Sequence, residues 1–438
     1  MGPTRGNIAA MTPTPWRWIP TLYLGQGLPY VAVMTLAVVM YKNLGVGNAE
    51  IALVTSWLYL PWVIKPLWSP LVDLLGKKRG WIVALQLLVG AAFAGVALVV
   101  PVPSFLQWTL VMFWLLAFAS ATHDIAADGF YILALDRRRQ AAFVGVRSTF
   151  YRISMLGGQG GLVWLAGWWA QHHGGPVAGW QAVFGLLALA FGVLALWHAW
   201  ALPRPAADGP APMQGDFWRG FVAVFRSFFA RDDIVRVLVF LLVYRLGEAQ
   251  LLKLVLPFLL DPRAEGGLAF TTQDVGLAYG TVGVAALTLG GLLGGWAISR
   301  AGLGRLLPVL LLAMNVPNLL YVWLAWAQPE GFAVVAAALA VEQFGYGFGF
   351  TAYMVFMLWV AGGRDGGSLH KTAHYAICTG FMALGMMLPG MAAGWLQEQM
   401  GYTSFFIWCC VATLPGFAAA AWARIPRDFG REEAPRLP

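Results

Sequence analysis

Asp124 and Asp128 stand four residues apart in the run Ala121-Thr122-His123-Asp124-Ile125-Ala126-Ala127-Asp128, and Arg147 and Arg152 follow in a second stretch. Four-residue spacing puts the two carboxylates on one helix face. Further on, Arg245 and Glu248 are three apart, Lys253 follows, and Glu342 lies in a glycine-rich apolar segment. In a bilayer core each such charge costs about 2.5–3.5 kcal/mol on insertion scales, so intramembrane ions usually mark function. A carboxyl removed from water also resists ionisation, which suits it to binding and releasing a proton. Asp124, Asp128, Glu248 and Glu342 are therefore the candidate proton-coupling residues, with Arg147, Arg152 and Arg245 as charge partners. The competing reading is a set of fixed salt bridges that only hold helices together.

A second group of residues could recognise a solute. Aromatic and amide side chains suit sugar-ring stacking and hydroxyl recognition, and the candidates are Gln26, Tyr30, Trp57, His123, Tyr151, Gln159, Lys253, Tyr346 and His374. His370 and His374 are spaced for a metal, but no acid or cysteine completes a set, so neither a metal nor a cofactor is expected. Cys378, Cys409 and Cys410 form no ligand pattern and read as packing residues. Gly345, Gly347 and Gly349 resemble a nucleotide loop only superficially, because no strand precedes them and no lysine follows. Close helix contact is the better use for them and for Gly157 to Gly161.

The elements that position these residues follow from composition. The 438 residues are 59% hydrophobic and 11% charged, against about 25% charged in soluble domains. A bilayer core needs about 20 apolar residues in a helix, and such stretches recur at 17–41, 50–74, 81–101, 105–134, 141–170, 180–201, 234–260, 272–299, 304–327, 331–361, 370–398 and 402–424. We number these helices 1 to 12. The runs are continuous rather than short and alternating, which excludes an outer-membrane barrel. The first reads as a retained span and not a cleaved signal.

The net charge of +8 invites a nucleic-acid reading, but its distribution refutes one. Nineteen basic residues fall on the side of both termini, against Lys42 and Arg263 on the other. That bias places both termini in the cytoplasm. The longest polar stretch, 202–233, divides the chain into bundles at 1–201 and 234–438, and its second part reads as an amphipathic helix on the inner membrane surface. The loop after helix 2 carries Asp73, Gly76, Lys77, Lys78 and Arg79; the one after helix 8 carries Gly295 to Arg305 without the acid. A parallel repeat of this kind is the mark of the major facilitator fold, and the first loop is a candidate gate. Helices 4 and 5 run antiparallel across the turn at Arg137 to Arg139, so residues equidistant from it share a depth. Asp128 should face Arg147, and Asp124 should face Arg152. Arg245 and Glu248 should pair along helix 7.

Several motifs resemble the AmpG muropeptide permease family. They are Pro66-Leu67-Trp68-Ser69-Pro70 with Asp73 and Gly80-Trp81, Ala119-Ser120 with His123-Asp124-Ile125 and Asp128, and Tyr244-Arg245-Leu246-Gly247-Glu248. Asn318 with Tyr321, Glu342 with its glycines, Thr372 to Ala376, and Pro389 through Gly394-Trp395 continue the match. The acetyl-CoA transporters and some siderophore importers look like relatives sharing these features. The family favours glutamine at the positions of His123 and His374 and aspartate at that of Glu248. The resemblance implies proton-motive uptake of an amino-sugar disaccharide, with or without peptide, across a bacterial inner membrane. Expected partners are that small solute, protons and the bilayer, with the protein a monomer. A CoA cargo would want a strongly cationic cavity, whereas the buried charges nearly offset in sequence. No loop carries a cluster of His, Asp or Glu for catalysis, so an enzyme is not expected.

Overall fold

A computed structural model of the chain describes residues 14–206, 208–209, 217–362 and 371–431; the side chains of Leu71, Asp73, Leu74, Arg137, Ala141, Phe217 and Trp218 also lie outside the description. The described residues are mostly helical, with no strand among them. Among the described residues nine helical runs are long and apolar enough to cross a bilayer unaided. The run 371–422 among them is two spans that fold back at Gly401, where φ is 74°. Two further spans are interrupted: 137–172 by a π-helical stretch, Gly157–Leu162, and 234–260 by a break at Tyr244 and Arg245. The total is twelve, in the order expected: 19–43, 48–74, 78–99, 105–134, 137–172, 176–201, 234–260, 272–301, 303–327, 332–362, 371–400 and 402–422.

Local chemistry sets the ends. Asp136 accepts from the Arg139 backbone N–H at 2.8 Å and so starts helix 5 four residues earlier than hydropathy alone suggests. Pro176 opens helix 6 in the same early way. Thr271 and Asp274 form a reciprocal capping box that starts helix 8.

Within lipid, helices associate through close packing more than through the hydrophobic effect, so small residues mark the contacts. The two six-helix bundles meet where helix 5 crosses helix 8. There a Cβ added at Gly280 would lie 2.1 Å from the Gln159 carbonyl oxygen. Both helices are π-helical at this crossing, Gly157–Leu162 against Gly276–Gly283.

The face bearing the termini and the distal face are closed differently. At the distal face a buried polar network joins the bundles. Lys42 pairs with Asp261, and the Asn48 amide nitrogen, with two N–H groups to give, lies 2.8–3.0 Å from Asp261, Gln397 and the Tyr402 hydroxyl. Tyr402 donates to Asp261 at 2.5 Å, and the Ala49 N–H donates to Glu398 at 2.9 Å.

At the terminal face each bundle instead clamps itself. After helix 6 the chain turns back, and Asp208 accepts from the Lys78 and Arg79 backbone N–H groups at 2.8 and 3.2 Å. A carboxylate there meets the unsatisfied donors and the positive end of the helix 3 dipole. After helix 12 the tail does the equivalent for helix 9: the Leu303 N–H donates to the Phe429 carbonyl at 2.8 Å, and Arg305 pairs with Asp428 at 2.9 Å. The expected gating loop is thus the seat of a clamp, with Arg79 also donating to the Ala199 carbonyl. Gly76 holds φ 147° and Lys77 precedes the helix, while the Asp73 side chain lies outside the described residues. The second part of 202–233 is the helix Phe217–Phe229, docked on helix 11 through Ser227 and His374, 3.0 Å apart.

Candidate functional site

A cavity of about 930 Å³ lies between the bundles. Its wall runs from mid-membrane, at Tyr30, Tyr59, Arg245 and Tyr346, toward the terminal face at Ser69, Ile132, Met354 and Thr372. Its most distal wall residues, Val38 and Leu256, remain short of the helix ends, and the Lys42–Asp261 network lies beyond them. The cavity therefore belongs to the terminal half of the molecule and is sealed at the distal face.

Breaks in the helices shape this wall. Helix 2 is interrupted at Leu58 and Tyr59, between Asn48–Trp57 and Leu60–Leu74. From there Tyr59, Trp62, Lys65 and Ser69 share a face and line the cavity. Tyr30 meets Trp62 edge to face, with centroids 5.4 Å apart. The break in helix 7 takes Arg245 out of helical register with Glu248. Its guanidinium donates to the Tyr346 hydroxyl and lies 4.7 Å from the Phe350 ring centroid.

The charges sort into three groups. Arg147 reaches Asp128 at 3.0 Å, as equal distance from the turn predicts. The expected Asp124–Arg152 pair is not formed. Asp124 meets Lys65 at 3.5 Å and the Trp62 indole at 3.4 Å, and Arg152 donates to Thr288 at 3.3 Å. Helical rotation explains the difference. At about 100° per residue, Asp124 sits about 40° round from Asp128, whereas Arg152 sits about 140° round from Arg147. The expected Arg245–Glu248 pair is also replaced, because the chain break turns Arg245 toward helix 10.

Glu248 and Glu342 form the second group, fully buried in the C-terminal bundle. Neither carboxyl oxygen of Glu248 has a hydrogen bond of normal geometry, and neither polar atom of Asn318 does; the Asn318 side chain and Arg245 are the neighbours that favour the Glu248 charge. Glu342 accepts from Tyr321 at 2.8 Å and Gln343 at 2.9 Å through one oxygen and leaves the other unpartnered. Neither glutamate is part of the cavity wall, which shows Gln343 and Tyr346 instead. Buried polar atoms without partners are costly, and a carboxylate pair in such a place is a natural seat for a proton.

The third group is Arg152, Arg245 and Lys253, which line the cavity with no carboxylate among the described residues in ion-pair contact. Lys253 is 5% exposed and donates to Thr55, at 3.1 Å, beneath the Tyr59 ring. The near-balance of buried charge in sequence does not carry over to the cavity, since of the four acids only Asp128 lines its wall.

Of the expected recognition residues, Tyr30, Gln159, Lys253 and Tyr346 line the cavity. Trp57 does not: it is 42% exposed and turned outward, because helix 2 breaks immediately after it. His123 is turned into the N-terminal bundle, where it meets Gln86 at 3.2 Å, which in turn meets His198 at 2.9 Å. His374 faces the linker helix, with Phe228 at 5.5 Å, and not the cavity. Gln26 lies beside Asp124, and Tyr151 is near both aspartates without lining the wall. His370 is outside the described residues. Tyr59, Trp62 and Lys65 escaped the reading as a group, although their three-residue spacing marks one helix face.

The described sequence matches the Major Facilitator Superfamily over residues 22–370. The anhydromuropeptide permease of Escherichia coli (strain K12) is 28% identical over 375 residues, spanning 84% of this chain and 72% of the permease. A Rickettsia conorii transporter named AmpG 4 is 24% identical over 404 residues, 89% of this chain and 92% of that protein. Among solved structures, a D-xylose–proton symporter superposes with a TM-score of 0.69 at 11% identity, over 95% of this chain and 98% of that one, a likeness of fold.

Proposed function

Because this chain belongs to the Major Facilitator Superfamily, whose members transport rather than catalyse, we propose that it is a proton-coupled symporter importing an amino-sugar disaccharide or related muropeptide-like glycan across a bacterial inner membrane. The cargo class comes from the permease relatives and is supported by a cavity walled with Tyr30, Tyr59, Trp62 and Tyr346, rings suited to stacking on sugars. Its volume is at the upper end of the range for small-molecule sites, about 300–1,000 Å³. The coupling rests on one observation, the Glu248 carboxylate facing Asn318 beside the cavity with no hydrogen bond of normal geometry. With the termini cytoplasmic, the sealed distal face makes this the inward-open state of an alternating-access cycle.

Reconstituted protein should accumulate labelled N-acetylglucosaminyl-anhydro-N-acetylmuramic acid under an inward proton gradient, and a protonophore should abolish accumulation. Uptake driven by sodium alone would refute proton coupling. The cationic lining favours a second cargo class on the same fold, an anionic siderophore or acyl-CoA-type solute. Its entry in place of the disaccharide would decide between them.

A further inference from the structure

Three cations face one cavity, and each has its direct contacts with neutral groups; Glu248, behind the wall, is an electrostatic neighbour of Arg245 without ion-pair contact. Arg245 has the Tyr346 hydroxyl and the Phe350 ring, Lys253 has Thr55 and the Tyr59 ring, and Arg152 has Thr288. Tyr59 stands between the first two: Lys253 lies 5.0 Å from its ring, and Arg245 is among its electrostatic neighbours. The other two wall charges are already neutralised, Lys65 by Asp124 and Asp128 by Arg147. Hydroxyls and rings soften the burial of a cation without cancelling its field. A cavity with low-dielectric walls and one sign of net charge concentrates ligands of the opposite sign.

We infer that the cargo is an organic anion whose carboxylate or phosphate seats against Lys253 and Arg245 beside Tyr59, with Arg152 on the approach from the terminal face. This deepens the transport reading and rests on it. Lys253 then acts as the distal stop of the site. Its stem packs against Gly390 of helix 11, where an added Cβ would lie 3.2 Å from the Lys253 side chain, and its ammonium donates to Thr55 of helix 2 at 3.1 Å, so a bound anion on Lys253 sits where the two bundles meet.

The test compares one glycan in two charge states. Binding to the full chain in nanodiscs would be measured for N-acetylglucosaminyl-anhydro-N-acetylmuramic acid and for its carboxamide. The acid should bind at least tenfold more tightly, and Lys253→Gln and Arg245→Gln should each shrink that ratio to within about twofold. Equal binding of acid and amide by the unmodified protein would overturn the anion seat while leaving the glycan reading intact. Binding of neither would refute the glycan reading, and a cargo-independent measurement then decides the seat. In Met382→Cys, which places a thiol on the cavity wall, an anionic methanethiosulfonate should react at least tenfold faster relative to a cationic one than each does with a free thiol. That preference should fall in Lys253→Gln. Absence of the preference would overturn the inference.

Discussion

Lys42 and Asp261 form a buried ion pair between the distal ends of helices 1 and 7, the first helix of each bundle. The pair ties equivalent positions of the repeat to each other, and Asn48, Tyr402 and Gln397 complete its hydrogen bonds. Removing one partner of a buried pair strands the other and costs about 3–5 kcal/mol. Such a cost bears on the sealed state alone if the bundles separate at this face during transport.

Asp261→Asn should therefore shift the population toward a distally open form. A thiol at Val38→Cys, the most distal wall position on helix 1, should become modified by a membrane-impermeant reagent added from the distal side about tenfold faster. An unchanged rate would show that other contacts seal that face.

Glu248→Gln should abolish accumulation driven by a proton gradient while preserving exchange of labelled for unlabelled cargo. Exchange needs the cavity and the conformational cycle but no net proton movement. Loss of both activities with a normal melting temperature would point to a cargo-binding role instead.

Tyr59 and Trp57 are two residues apart on the two sides of the helix 2 break. Tyr59→Ala should raise the KM for uptake by about tenfold, because that ring closes the cavity beside Lys253. Trp57→Ala should leave uptake within twofold. The opposite ranking would place the cargo outside this cavity.

Asp208→Ala should lower the thermal stability of the protein. Loss of a carboxylate cap on helix N–H donors costs about 0.5–2 kcal/mol. Asp208→Asn should recover part of the loss, since an amide oxygen still accepts from the Lys78 and Arg79 N–H groups. No difference between the alanine variant and the unmodified protein would show the clamp to be energetically neutral.

The twelve spans and the Asp128–Arg147 contact were legible because they depend on local quantities: apolar run length, and residue counts from a single tight turn. The Asp124–Lys65 contact was not, since it joins helix 4 to helix 2 and no spacing along the chain encodes that approach. Trp57 was misplaced because a regular helix was assumed where the chain turns at Leu58 and Tyr59. Arg245 was assigned to Glu248 for the same reason: three-residue spacing means proximity only while the helix is continuous. The sign of the cavity was hidden as well. Counting buried charges cannot tell an acid in the wall from one behind it.

Two anchors at the terminal face, the Asp208 clamp and the docked linker helix, make the connection between bundles a leash of fixed length. Asp208 fastens one end to helix 3, and the helix Phe217–Phe229 fastens the other to helix 11 through His374. From Asp208 to Phe217 the chain has nine residue steps, which at 3.3–3.6 Å each reach about 30 Å when drawn out fully, and the helix from Phe217 to Ser227 adds about 15 Å at 1.5 Å per residue. However wide the cavity mouth opens, those two anchor points cannot separate further than that cord allows. Lengthening or shortening it would change the amplitude of the transport stroke without altering any residue that touches cargo.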